Sequence, residues 1–183
     1  MRIYIDTETT GLDERWDKVI EVAAIQFWDD GTLGRSFHSL CHPGLEVLDS
    51  PRTDRALEIN GITREMLQPA PPLDEVARGL QQYIDSLEAH IEAVTYHSYN
   101  IAFDSKFLAC APWSLGKGIW GDCVMLKFAK RYDPYRGKWQ KLSKAAEFYN
   151  LEWPGDAHRA RADALMAGRV HLAMLEERRG VDA

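Results

Sequence analysis

The sequence is short of cysteine, of net positive charge and of long apolar runs, and each shortage removes a class of protein. Its three cysteines, Cys41, Cys110 and Cys123, are odd in number and show no Cys-x-x-Cys spacing, so they read as reduced thiols and not as a disulfide framework or a zinc site. That usage fits a cytoplasmic protein. The formal net charge of −6 argues against a generic nucleic-acid coat, which is normally basic overall. No stretch approaches the ~20 apolar residues that a membrane span needs. The chain enters a strand-like run at Ile3, leaving no space for a charged leader and an apolar signal core, so neither export nor a membrane partner is expected. Internal repeats and low-complexity tracts are also missing.

What is present fits one globular domain. At 183 residues, 45% of them hydrophobic, the chain can bury a core without staples. We expect a single domain over 1–177 and a flexible tail over 178–183. Ile3-Tyr4-Ile5 leads a first strand and Val19 to Phe27 a second, with a turn at Asp29 to Gly34 and a third strand over Phe37 to Cys41. Residues 42–72, with five prolines, read mainly as irregular, with short helical turns near Arg55 to Ile59 and Arg64 to Leu67. A helix starts at Leu73, with Asp74 and Glu75 in its first turn, and buries Val76, Leu80, Ile84 and Leu87. Ala93 to Tyr96 and Ile119-Trp120 read as strands, and Asn100 to Asp104 leads into a helix with Phe107 and Leu108. Met125 to Lys130, Leu142 to Tyr149 and Ala160 to Glu177 read as helices. Three strands in a meander followed by alternating helices and strands predict an α/β fold with a mixed sheet flanked by helices.

The first strand also carries the strongest chemical signal. Side chains on a strand repeat every two residues, so Asp6 and Glu8 face one side and Thr7 the other. Two carboxylates ~4 to 5 Å apart repel by roughly 3 to 4 kcal/mol at an effective dielectric near 20, and a hard cation would relieve that. A solvated acidic pair at a strand end is the plain alternative. Asp104 stands where a later strand passes into a helix. Asp163 opens the last helix, where a carboxylate also complements the helix dipole. His158 lies five residues earlier, in a loop after Pro154-Gly155 from which it can reach a cleft.

Three segments carry these residues: Asp6-Thr7-Glu8-Thr9-Thr10-Gly11-Leu12, Tyr99-Asn100-Ile101-Ala102-Phe103-Asp104, and His158-Arg159-Ala160-Arg161-Ala162-Asp163-Ala164. Together they resemble the three motifs of the DEDDh 3′ to 5′ exonucleases, and the resemblance runs from residue 3 to about 175. It implies an RNase H-like fold and two divalent cations, Mg²⁺ or Mn²⁺, held by Asp6, Glu8, Asp104 and Asp163. Four carboxylates would balance the charge of two such ions, and the pair would stabilise the attacking and leaving oxygens of an in-line displacement. His158 matches the family's general base, a role that suits imidazole near neutral pH. The implied reaction removes 5′-mononucleotides from the 3′ end of single-stranded DNA or RNA. Tyr99 departs from the histidine many members carry there, which touches substrate contacts more than metal binding. His38, His42, His90, His97 and His171 match no motif position and read as structural or surface residues; Asp122 reads as the cap of the helix after it.

For substrate, the Thr9 to Gly11 turn is expected to hold the terminal 3′ hydroxyl, Leu12 either to pack on the last bases as in family members or to be plain core, and Gly61-Ile62 to supply an opposite wall. Asn100 would order the turn before Asp104. Lys127 to Lys144 holds a local excess of +6, leaving −12 on the rest of the chain, and Lys138 and Lys141 with Trp139 between them form a candidate guide for phosphates. A solvated helix face explains the same charges. A non-catalytic nucleic-acid-binding partner and an RNase H-like endonuclease remain alternative readings, and a homodimer or a polymerase or repair partner fits the family. Five filled catalytic positions favour an enzyme, and the histidine favours an exonuclease.

Overall fold

The computed structural model describes residues 1–88, 94–115, 120–153, 155 and 158–181. Its centre is strand β1 (Arg2–Thr9), placed there because both of its faces are covered. Ile3 and Ile5 pack with Val22 and Ala24 beneath one layer of helices, while Tyr4 packs with Ala23, Ile25 and Phe27 beneath the other. Each such side chain, fully buried, contributes about 1.5 to 3 kcal/mol. Strand β2 (Val19–Phe27) is antiparallel to β1, and β3 (Leu33–Leu40) is antiparallel to β2. Strands β4 (Thr95–Ser98) and β5 (Trp120–Cys123) add in parallel, giving the order β3-β2-β1-β4-β5.

Eight helices follow among the described residues: α1 (Leu45–Leu48), α2 (Pro51–Asn60), α3 (Arg64–Leu67), α4 (Leu73–Glu88), α5 (Ile101–Leu108), α6 (Val124–Tyr132), α7 (Leu142–Phe148) and α8 (Ala160–Val181). Helices α4 and α5 cover the Ile3 face, with Val76, Leu80, Tyr83, Ile84, Leu87, Phe107 and Leu108 buried. Helices α6, α7 and α8 cover the Tyr4 face through Phe128, Ala145, Leu165, Met166, Val170 and Met174. Gly168 lets α8 sit low on the sheet, since a Cβ there would come within 2.5 Å of the Phe27 ring. No described helix is long and apolar enough to cross a membrane.

The main departures from the sequence reading lie between 33 and 67. Strand β3 begins at Leu33, not Phe37, because its exposed polar start pairs with β2 by backbone and by the Arg35 amide donating to Gln26 Oε1 at 2.9 Å. The proline-rich stretch is largely helical. Ser50 caps α2 by accepting from the Arg52 amide, Pro51 takes a first-turn position where its missing N–H costs nothing, and Gly61 ends the helix in the left-handed region at φ 64°. Ile20, Leu48, Leu57, Ile62 and Leu67 bury a small core of their own beneath it. Helix α8 runs past Glu177 to Val181; residues 182–183 of the expected tail, like Ala93 and Ile119 of the two expected strands, lie outside the described residues.

Candidate active site

The C-terminal end of β1 and the N-terminal end of α8 meet on the Tyr4 face of the sheet. Asp6, Glu8 and Asp163 each offer a carboxylate oxygen there, and these atoms all lie within 4.8 Å of one another. His158 sits just before α8 in the left-handed region at φ 63°, with an exposed side chain. Its backbone amide donates to Asp163 Oδ1 at 3.2 Å, so the loop and the acid hold each other.

Asp104 does not join that triangle. It arrives from α5 on the opposite layer, fully buried, and its Oδ1 accepts from the amide and the hydroxyl of Thr7 at 2.9 and 2.8 Å. The Ser98 hydroxyl donates to its other oxygen. Thus the strand residue that points away from the acidic pair is the one that anchors the fourth acid.

The cluster is electrostatically unbalanced by itself. Burial pushes Asp6 well above the carboxylate range, and the charges of Asp104, Glu8, Asp163 and Glu21 push it further. Burial raises Glu8 to about 9, helped by Asp163, Glu21 and Asp104. Burial also raises Asp163 to about 6 against the lowering effect of His158. Asp104 is raised by burial to about 6, with the Ser98 and Thr7 hydrogen bonds holding it down. Carboxylates pressed together in low dielectric accept protons, or a cation in their place.

Sequence reasoning missed Glu21. It lies directly across the ladder from Glu8, is fully buried, and is completely satisfied. Arg159 grips both of its oxygens, with Nε at 3.2 and 3.0 Å and an Nη2 at 2.8 Å; the Ala160 amide donates at 3.0 Å and His38 Nε2 lies 2.7 Å away. Burial alone would raise this acid, but the bonds from His38, Arg159 and Ala160 hold it down at about 2. A carboxylate inside the run Val-Ile-Glu-Val-Ala-Ala-Ile was the available signal, because a buried charge requires a partner.

The substrate-side residues divide clearly. Leu12 is 78% exposed and therefore not core; Trp16, in the same loop, is 66% exposed. The loop is closed by Thr10 and Lys18 bonding each other, by the Asp13 amide on Asp17 Oδ2, and by Lys106 Nζ on the Leu12 carbonyl at 2.5 Å. Gly11 is required where it stands, since a Cβ would fall 2.4 Å from the Asp17 carboxylate. The Thr9 hydroxyl donates to the Gly11 carbonyl at 2.5 Å. Ile62 is 1% exposed and belongs to the core under α2, so it offers no wall; Ile59 is the exposed apolar residue of that element. Asn100 makes no capping bond with its side chain, and the Ser98 hydroxyl orders the turn instead by accepting from the Asn100 amide at 3.1 Å. Asp122 pairs with Lys127 at 2.5 Å and does not cap α6, whose flanking residue is Cys123.

In the basic segment, Lys127, Arg131 and Lys144 are paired with Asp122, Glu177 and Glu147. Lys130, Arg136, Lys138 and Lys141 make no ion pair among the described residues. Lys138, Trp139 and Lys141 are exposed, and the Tyr99 hydroxyl ties their stretch to the end of β4 through the Gln140 carbonyl at 2.7 Å. His97 and His171 are buried on the Tyr4 face, both rings against Tyr4. Their rings lie 5.1 Å apart, and His171 Nδ1 lies 2.9 Å from the Tyr4 hydroxyl.

Comparison with known proteins now gives this arrangement a place. The family model described as "Exonuclease" matches residues 3–171. A PolC-type DNA polymerase III of Thermotoga petrophila is 36% identical over 95% of this chain, which spans only 12% of that polymerase. The DNA polymerase III subunit epsilon of Aquifex aeolicus is 28% identical over 96% of this chain and 80% of its own length. The fold matches the nuclease domain of 3′hExo, a DEDDh family member solved with rAMP, at a TM-score of 0.75 and 17% identity, covering 96% of this chain and 92% of that one. E. coli exonuclease I in complex with a dT13 oligonucleotide matches at 0.75 and 17%, covering 99% and 42%. The mixed sheet thus shares its RNase H-like fold with these nucleases, and the chain belongs to the exonuclease family.

Proposed function

We propose that this chain removes 5′-mononucleotides from the 3′ end of single-stranded nucleic acid, using two divalent cations and His158 as general base. The observation that carries the reading is the Asp6, Glu8 and Asp163 triangle within 4.8 Å, next to an exposed histidine bonded to one of its members. The donor set fits hard divalent cations of the Mg²⁺ or Mn²⁺ kind: oxygen ligands only, crowded, and raised in pKa by their mutual charge. Asp6, Glu8, Asp163 and, from the far side, Asp104 would hold them. Bound cations there would supply positive charge to the attacking and leaving oxygens.

The chain's own groups do the rest. His158 takes a proton from the attacking water, from its exposed place just before α8 beside Asp163. Leu12 and Trp16 offer apolar surfaces to the terminal bases, and the Thr9 to Gly11 turn meets the 3′ hydroxyl. Stacking of this kind tolerates sequence and contributes ~1 to 3 kcal/mol per base. Asn100 borders the same end of the sheet. Lys138, Trp139 and Lys141 guide the incoming strand, their unpaired charges making binding salt-dependent.

Incubation of a 5′-labelled oligonucleotide with Mg²⁺ tests the reading: a stepwise ladder is expected. A single internal cut would mean an endonuclease, and an intact strand a binding partner. Matched DNA and RNA oligonucleotides assign the sugar preference. His158→Ala should keep metal binding while losing ~10² to 10⁴ in rate; a near-normal rate would remove His158 from the mechanism.

A further inference from the structure

Glu21 and Arg159 have no place in the reaction just described, yet they join in three charge-assisted hydrogen bonds. Residues 138 positions apart meet in a bidentate pair, and the same carboxylate also holds the first amide of α8. Arg159 is the immediate neighbour of His158, and its carbonyl accepts from the amides of Ala162 and Asp163. His158 itself sits at φ 63°, a conformation that costs a non-glycine residue free energy unless its surroundings fix it. Among the described residues its one hydrogen bond is that of its backbone amide to Asp163. What fixes the loop is therefore the next residue, locked into the sheet beside Glu8.

We infer that the Glu21–Arg159 pair, backed by His38, is a positioning device that sets where the His158 imidazole stands relative to the acidic triangle. Glu21 touches no reacting atom. It acts through Arg159, whose planar fork fixes both the distance and the rotation of the loop in a way a lysine cannot. Misplacement of a catalytic group by about 1 Å is enough to cost ~10²-fold in rate. The inference rests on the reading of His158 as base.

Arg159→Lys keeps both charges and removes only the fork, so it separates geometry from electrostatics. Its kcat on a single-stranded oligonucleotide should fall about tenfold or more, with KM and the Mg²⁺ concentration for half-maximal rate within about twofold of the parent. Glu21→Gln should fall at least as far. The two are then repeated in the His158→Ala background. If the pair works through His158, each should cost less than about twofold further, since groups acting as one unit are strongly non-additive. A merely structural role would give the same fractional loss in both backgrounds and would overturn the inference, as would an Arg159→Lys enzyme with parental kcat. Should Glu21→Gln fail to fold, Arg159→Lys still decides, because Arg159 is partly exposed. If His158→Ala is itself near-normal in rate, the base assignment fails, and a kcat loss in Arg159→Lys must then come from Asp163; a raised Mg²⁺ requirement would show it.

Discussion

Glu8 and Glu21 face one another across the β1–β2 ladder, on the same side of the same sheet, and have opposite circumstances. Glu21 has three partners, Arg159, His38 and the Ala160 amide, and is held at about 2; Glu8 has like charges for neighbours and is pushed to about 9. One residue's worth of position separates an acid that fixes the fold from an acid that waits for a ligand. The contrast shows how a buried charge is tolerated: it is either answered within the chain or left to be answered by something bound. A protein core normally permits only the first. The second identifies a site.

The largest expected effect sharpens that contrast directly. Glu8→Gln should lower the rate by about 10³ or more, in the range seen when one member of a charge-stabilising site is removed, yet raise the melting temperature of the metal-free protein near neutral pH by removing an acid that must take up a proton to be buried. Glu21→Ala should do the reverse to stability, costing about 3 kcal/mol because it strands Arg159 beside a cavity. Equal stability losses from both would break the comparison. Adding Mg²⁺ to a hundred times its dissociation constant should stabilise the parent by about 2.7 kcal/mol, read as a rise in melting temperature, and should do far less for Glu8→Gln.

The pH dependence is smaller and its sign differs for the two acids. Glu8 is raised in the folded state, so its contribution to metal-free stability is full below the ordinary glutamate range and is lost as pH rises toward about 9. Glu21 is lowered, so its contribution is full above that range and is lost as pH falls toward about 2. His171, lowered by burial and the nearby His97 to about 3, adds a loss as pH falls below neutral. Metal-free stability should therefore decline on both sides of mildly acidic pH, by at most ~1.4 kcal/mol per unit per group, and Mg²⁺ should flatten the alkaline side only. An alkaline side that Mg²⁺ leaves unchanged would mean the triangle is not what titrates.

Much of this was legible in the sequence for a physical reason. Runs such as Ile3-Tyr4-Ile5 and Val19 to Phe27 are buried on both faces and carry their signal in composition alone. Strand β3 lacked it because an edge strand can pair by backbone with an exposed side-chain row. Helix α2 lay under prolines, although Ser50, Pro51 and Gly61 spelled its start and stop. In the site, Asp6 and Glu8 were readable from period two, whereas Thr7 and Glu21 act by bonds to residues about a hundred positions away, and Ser98 by a side-chain bond across a turn, none of which spacing reveals. Ile62 and Asn100 were given substrate and turn roles, and burial and an absent capping bond reassign those parts to the α2 core and to Ser98.

The distance along the chain between Glu21 and Arg159 has a consequence during translation. At elongation speeds of ~5 to 20 residues per second, the ribosome adds the 138 residues from the first to the second in roughly 7 to 28 s. Once Leu40 is made the three-strand meander carries Asp6, Glu8 and Glu21, but His158, Arg159 and Asp163 are still to be added. The acidic triangle of the nascent chain thus stays open until α8 brings Asp163, and over the same interval Glu21 waits for the guanidinium that will hold it.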